Sequence, residues 1–100
     1  MTKLKNGERI IDLAKSLWPI YRSITGNGVR KSLNLIKKIC PNLKIIEIKS
    51  GTKVFDWTIP DEWNVEEAYI LTPNGKKICD ISKNNLHLVS YSSPLNKILN

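Results

Sequence analysis

Hydrophobic periodicity changes once along this sequence, at Pro41-Asn42, and the change narrows the folds open to it. Before that point apolar residues recur at helical spacing; after it come short Ile-rich or alternating runs broken by Gly, Pro and Asn. Ile10, Leu13 and Leu17, widened by Ile11, Ala14 and Trp18, mark one face of a helix from Glu8. Pro19 lacks a backbone donor and disfavours helix at Trp18, so a break or kink is expected, then a short helical turn through Ile20, Tyr21 and Ile24. Thr25-Gly26-Asn27-Gly28 ends that element, with Thr25 or Asn27 suited to cap the next helix. This second helix is predicted over residues 29–40, where Val29, Leu33, Ile36 and Cys40 share a face and Lys37 and Lys38 complement the carboxyl end of the dipole.

Past the switch, residues 43–49 are rich in Ile and read as a first strand, and residues 52–59 as a second with Phe55, Trp57 and Ile59 on one face. Residues 60–64 form a turn. Strands over 67–71 and 76–81 flank Thr72-Pro73-Asn74-Gly75, where Pro73 suits the second turn position and Gly75 the left-handed conformation, which predicts a hairpin. After a polar turn at 82–85, residues 86–91 read as a last strand with His87, Val89 and Tyr91 on one face. The class is therefore α+β, or a piece of an α/β fold: two amino-terminal helices, then four to five short, mostly antiparallel strands. Phe55, Trp57, Trp63 and Tyr69 are expected in its β core.

One hundred residues suffice for one small domain with a thin core, burying about 60–65% of the unfolded chain's surface. No apolar run reaches the roughly 18–20 residues that cross a bilayer, and residues 1–10 lack the apolar segment of a secretory signal, so a cytoplasmic protein without a membrane partner is expected. Cys40 and Cys79, widely spaced among apolar residues, suit buried thiols in a reducing compartment better than a disulfide. Residues 1–50 hold eleven Lys and Arg against three Asp and Glu, residues 51–100 five against six. That basic half invites a nucleic-acid reading. Ile, Lys and Asn make up 37 of the 100 residues, however, and Lys outnumbers Arg 13 to 3. An AT-rich coding sequence produces the same bias, so the charge alone does not require an anionic partner.

Candidate sites are sparse. A hydrolytic zinc site usually needs three converging ligands, and one histidine with two distant cysteines does not supply that spacing. His87 reads as a structural histidine, or as a contributor to a site completed elsewhere; Asp56 and Asp80 read as hydrogen-bonded structural carboxylates. The turn from Arg22 to Gly28 has two readings: a helix start fixed by Arg22, or a phosphate or carboxylate contact on backbone N–H groups near Arg22 and Arg30. It is not a P-loop, since the Gly-Lys-Ser/Thr ending is missing. Trp57, Trp63 and Tyr69 fit a sheet core better than an aromatic platform. Helix-turn-helix is disfavoured by the Pro19 break.

Three stretches carry a resemblance: Leu17-Trp-Pro-Ile-Tyr-Arg-Ser-Ile-Thr-Gly-Asn-Gly-Val-Arg30; Ser50-Gly-Thr-Lys-Val-Phe-Asp-Trp-Thr-Ile-Pro-Asp-Glu-Trp-Asn64 leading into Ala68-Tyr-Ile70; and Asn84-Asn-Leu-His-Leu-Val-Ser-Tyr-Ser92 with Pro94. In order and spacing they resemble the amino-terminal region of the bacterial aminopeptidase-like proteins, relatives of zinc aminopeptidases found in polysaccharide-biosynthesis clusters, in which a domain of unknown function is inserted in the peptidase fold. Tyr21 stands where many members have cysteine. The resemblance implies an α/β zinc-peptidase-like fold, with residues 1–50 its first helices and strand and residues 51–100 the start of the inserted β subdomain. It places the zinc ligands and general base of the parent in later segments, so catalytic, cofactor-binding and metal residues in this chain are all none. The implied function is that of a non-catalytic amino-terminal fragment of a zinc metallohydrolase acting on peptide or amide bonds. Its partner would be the remainder of the peptidase-like domain, and homo-oligomer formation stays open. The alternative is a small standalone basic module for an anionic partner.

Overall fold

A computed structural model describes residues 2–100, with side chains from residue 5 onward. Helix α1 spans Thr2–Leu17 and α2 spans Asn27–Ile39. Two antiparallel hairpins come next: β1 (Lys53–Val54) with β2 (Trp57–Thr58), and β3 (Ile70–Leu71) with β4 (Lys77–Ile78). A 3₁₀ turn, Asn85–His87, closes the regular structure. The α+β class is thus present, helices first and four short antiparallel strands after.

The helix α2 sits within two residues of its predicted bounds because its periodicity and its stop at Pro41 agree. Pro19 ends α1 rather than kinking it. Residues 21–23 are irregular, and the expected helical turn through Ile20 and Ile24 does not form.

The β half departs further from expectation. Residues 52–59 are not one strand but a hairpin, registered Lys53 to Thr58 and Val54 to Trp57. Its two-residue tip is Phe55-Asp56, with Phe55 at φ 55°. Gly51 and Ile59 extend the pairing, the Gly51 amide donating to the Ile59 carbonyl at 2.8 Å. Residues 43–49 take no helix, strand or turn. The predicted last strand at 86–91 is replaced by the 3₁₀ turn, since the Asn84 side chain accepts the Leu86 amide at 2.9 Å and draws the backbone into a local cap. The second hairpin matches expectation: the Gly75 amide, at φ 84°, donates to the Thr72 carbonyl at 2.8 Å.

No β core forms around Phe55, Trp57, Trp63 and Tyr69. Phe55 is 101% and Trp57 52% exposed, and Tyr69 lies under the Lys77 ammonium, 4.2 Å from its ring centre. Two-stranded ribbons are too narrow to enclose an apolar layer, so the Phe55, Trp57 and Tyr69 rings stay at the surface, while Trp63 is half-buried outside any strand. Cys40 and Cys79 are free and exposed rather than buried. Among the described residues no hydrophobic side chain is buried. The radius of gyration is 17.9 Å, against about 13 Å for a compact chain of this length.

Candidate functional site

The most densely connected part of the molecule is where the turn after α1 meets two later loops, at residues 61–64 and 88–92. Gly26 and Gly28 make the approach possible. A Cβ on Gly28 would lie 1.8 Å from the Tyr21 carbonyl oxygen, and one on Gly26 2.4 Å from that of Trp63. Gly26 also takes φ 102°, which side chains rarely adopt. The glycines therefore permit backbone contact with backbone, and need no phosphate to explain them.

Hydrogen bonds then lock the loops. The Trp63 amide donates to Thr25 Oγ1 at 3.0 Å, Thr25 Oγ1 lies 2.6 Å from the Tyr91 hydroxyl, and that hydroxyl reaches the Asp61 carbonyl at 3.3 Å. Each proton has one acceptor if Thr25 donates to Tyr91 and Tyr91 to Asp61. Trp63 Nε1 donates to the Ser92 carbonyl at 3.1 Å, and the Tyr21 hydroxyl to that of Leu88 at 2.6 Å. Partial burial pushes the Tyr21 phenol above its ordinary pKa. The rings of Tyr21 and Tyr91 lie 5.9 and 5.8 Å from that of Trp63, within the range of favourable aromatic pairs.

A polar ring caps α2. The Asn27 amide donates to Asn64 Oδ1 at 2.7 Å, while Asn64 Nδ2 donates to Glu62 at 3.2 Å. Arg30 grips both Glu62 oxygens at 2.6 Å and donates to Asn27 Oδ1 at 2.9 Å. Arg30 and Asn64 together hold the Glu62 carboxyl down to about 2 from its ordinary 4.5. Neither Thr25 nor Asn27 caps the helix; Asn64 does so from 37 residues away. The carboxylate at this turn is the protein's own Glu62. Arg22 fixes the turn from the other side, donating to the Leu17 carbonyl at 2.7 Å and, at 3.4 Å, to Ser32, the one buried polar side chain among the described residues.

A cleft of about 480 Å³ opens beside this knot, lined by Tyr21, Ser23, Lys31, Trp63 and Glu66 among others. Ser23 Oγ donates to the Thr25 carbonyl at 2.5 Å, and no histidine or carboxylate is among its hydrogen-bond partners. It lacks the adjacent base that activates a nucleophile. His87 ends the 3₁₀ turn, exposed, and Asp56 occupies a hairpin tip. Asp80 accepts the Ser82 amide and hydroxyl at 2.9 and 2.8 Å, which lowers its pKa and marks it as a turn residue. Among the described residues no three His, Cys, Asp or Glu side chains converge as a metal site would require, so the donors here do not fit a zinc ion. No helix among the described residues is long and apolar enough to cross a membrane. The sequence did not signal the knot, whose partners lie dozens of residues apart; only the paired glycines hinted at a close approach.

Comparison with known proteins places this arrangement in context. The model of a domain of unknown function, DUF4910, matches residues 11–95. A protein of Clostridium acetobutylicum, provisionally named as a polysaccharide biosynthesis protein with an aminopeptidase-like domain, is 53% identical over 95 residues. That match covers 95% of this chain and 22% of the relative. A crystal structure of a provisionally named peptidase from Clostridium acetobutylicum superposes with a TM-score of 0.87 at 54% identity, covering 93% of this chain and 22% of that one. The chain thus spans about a fifth of the length of the relatives it matches.

Proposed function

Because the chain belongs to the family of the domain of unknown function DUF4910, we propose that it is a non-catalytic amino-terminal segment of a larger aminopeptidase-like protein, packing against the remainder of that protein. The observation that carries this reading is exposed apolar surface. Ile10, Ile11 and Trp18 are 69%, 55% and 59% exposed, and Ile11, Ala14 and Trp18 line an open apolar groove on α1. Burying one such side chain is worth about 1.5–3 kcal/mol. Ordering a chain of this size costs on the order of 100–200 kcal/mol of conformational entropy, which a fold without buried apolar side chains does not offset alone.

In this reading residues 1–50 contribute the helical edge of a peptidase-like domain and residues 51–100 the start of an inserted β subdomain. Metal-dependent hydrolysis of peptide or amide bonds belongs to the larger protein, and zinc enters only through kinship with zinc aminopeptidases. This chain's own residues contribute position: Arg22 ties α1 to α2, and Asn64 with Thr25 ties both to the β half. A standalone basic module has less support, since Arg30 is paired with Glu62 and the exposed apolar faces and open strand edges answer to packing.

Thermal unfolding tests the reading. The chain alone should melt broadly and bind a hydrophobic dye. A hybrid in which it replaces the matching segment of the Clostridium acetobutylicum relative should melt sharply and bind little dye. A sharp, dye-free transition of the chain alone would falsify the proposal.

A further inference from the structure

Residues 43–49, Leu-Lys-Ile-Ile-Glu-Ile-Lys, combine strand chemistry with the absence of a strand. Three of the seven are isoleucine, the β-branched residue that suits a pleated surface. Among the described residues, no amide from 44 to 49 and no carbonyl from 44 to 48 joins a hydrogen bond. Ile46 and Ile48, which would share one face of a strand, are 81% and 60% exposed; Ile45, on the other, is 36% exposed. Both ends are anchored: the Leu43 amide donates to the Cys40 carbonyl at 2.9 Å, and the Lys49 carbonyl accepts the Thr52 amide at 3.2 Å. A stretch held at both ends, with its backbone donors and acceptors open and isoleucines bare, is the form of a strand awaiting a sheet.

We propose that residues 43–49 are a docking strand, adding to a β-sheet edge in the remainder of the peptidase-like protein. The inference rests on the proposed function and names the contact by which it is met. Strand addition supplies main-chain hydrogen bonds for affinity and an apolar layer for the Ile46 and Ile48 face. The relatives carry this segment within chains of which it and its neighbours are only 22%, so the sheet has ample chain to come from. A second copy is a poorer occupant. Full-length antiparallel self-pairing sets Lys44 opposite Ile48 and Glu47 opposite Ile45, so no charge meets its complement across the ladder, and in-register parallel pairing stacks Lys44 on Lys44 and Glu47 on Glu47; like charges directly opposite destabilise a ladder.

Amide hydrogen exchange on the hybrid with the Clostridium acetobutylicum relative decides the matter. At least alternate amides of residues 44–49 should exchange about a hundredfold or more slowly in the hybrid than in the chain alone, since an edge strand turns every second N–H to its neighbour. Free exchange across 44–49 while the Asn27 and Trp63 amides stay protected overturns the docking strand and leaves the packing reading standing. A hybrid that does not fold overturns both. Protection that appears in the isolated chain and grows with its concentration assigns the strand to a second copy instead.

Discussion

The knot around Thr25 and the two hairpins are built from similar material, short turns with an aromatic residue nearby, yet they are held together in opposite ways. The knot joins residues 29 to 67 positions apart through side chains that bond distant backbone groups: Thr25 to the Trp63 amide, Trp63 to the Ser92 carbonyl, Tyr21 to the Leu88 carbonyl. The hairpins rely on local bonds such as Ile59 to Thr52 at 2.9 Å and Thr72 to Lys76 at 2.9 Å. Their aromatic and aliphatic residues face water: Trp57 is 52% exposed, Ile70 55% and Leu71 56%. A region with its own long-range bonds has its shape specified from within the chain. One with only local bonds and bare apolar faces takes its stability from whatever covers it.

The sharpest way to break the comparison is Gly28→Ala. Its Cβ would need 1.8 Å from a carbonyl oxygen, so backbone must shift, at a cost of about 3 kcal/mol or more. In the hybrid the Trp63 and Asn27 amides should then exchange at least a hundredfold faster while Ile59 and Thr72 hold. Gly7→Ala is the control: nothing lies within 4 Å of the new methyl group, and alanine within α1 should stabilise by about 0.5–1 kcal/mol. Equal exchange in the two variants would show that the knot does not depend on its glycines.

Next in size is the contrast between two tryptophans. Trp63→Phe removes the bond to the Ser92 carbonyl and part of the aromatic stack, about 1–2 kcal/mol read at the Asn27 amide. Trp57→Phe, at a half-exposed hairpin position, should stay within about 0.5 kcal/mol at Ile59. Comparable losses at both sites would mean that the hairpins are held from within after all.

The acid limb gives a smaller effect. Glu62 is held at about 2 when folded against an ordinary 4.5. Its folded pKa is depressed, so its contribution is fully present above pH 4.5 and is lost as pH falls from there through about 2. The carboxylate is 39% exposed, and solvent screens the pair. Protection of the Asn27 amide, corrected for intrinsic exchange, should therefore decline modestly across that window. Glu62→Gln should lower it at pH 7 and remove most of the decline. An unchanged acid limb in the variant would assign the titration to another carboxylate, with Asp80 first in line because its pKa is also lowered.

The same division separates the elements that were legible in the sequence from those that were not. Helix α2 and the Thr72 to Gly75 turn could be read because their signals are local: a 3.6-residue apolar period ending at Pro41, and a Pro-Asn-Gly turn. Residues 43–49 look like a strand and are not one here, since a strand needs a neighbour and the described residues provide none. The alternation at Phe55, Trp57 and Ile59 concealed a hairpin because Phe55-Asp56 lacks the glycine that usually marks a two-residue tip. Thr25, Asn64 and Tyr91 were missed as a site because nothing local distinguishes a hydroxyl or amide that bonds across the fold from one that faces water.

Phe55 joins the two halves of the comparison in one residue. Its left-handed backbone costs about 1–2 kcal/mol relative to an ordinary conformation, and its ring is 101% exposed, so it gains nothing from packing within this chain. Glycine would relieve the strain while losing about 0.5–1 kcal/mol to the greater freedom of the unfolded chain. Phe55→Gly in the isolated chain should therefore leave Ile59 protection unchanged to within about 1 kcal/mol, or raise it slightly. If the ring is an anchor for the remainder of the larger protein, the same substitution in the hybrid should lower Ile59 protection, because the lost apolar contact outweighs the relieved strain. An identical response in both settings would remove the first hairpin from the docking surface and leave α1 and residues 43–49 as the faces that need covering.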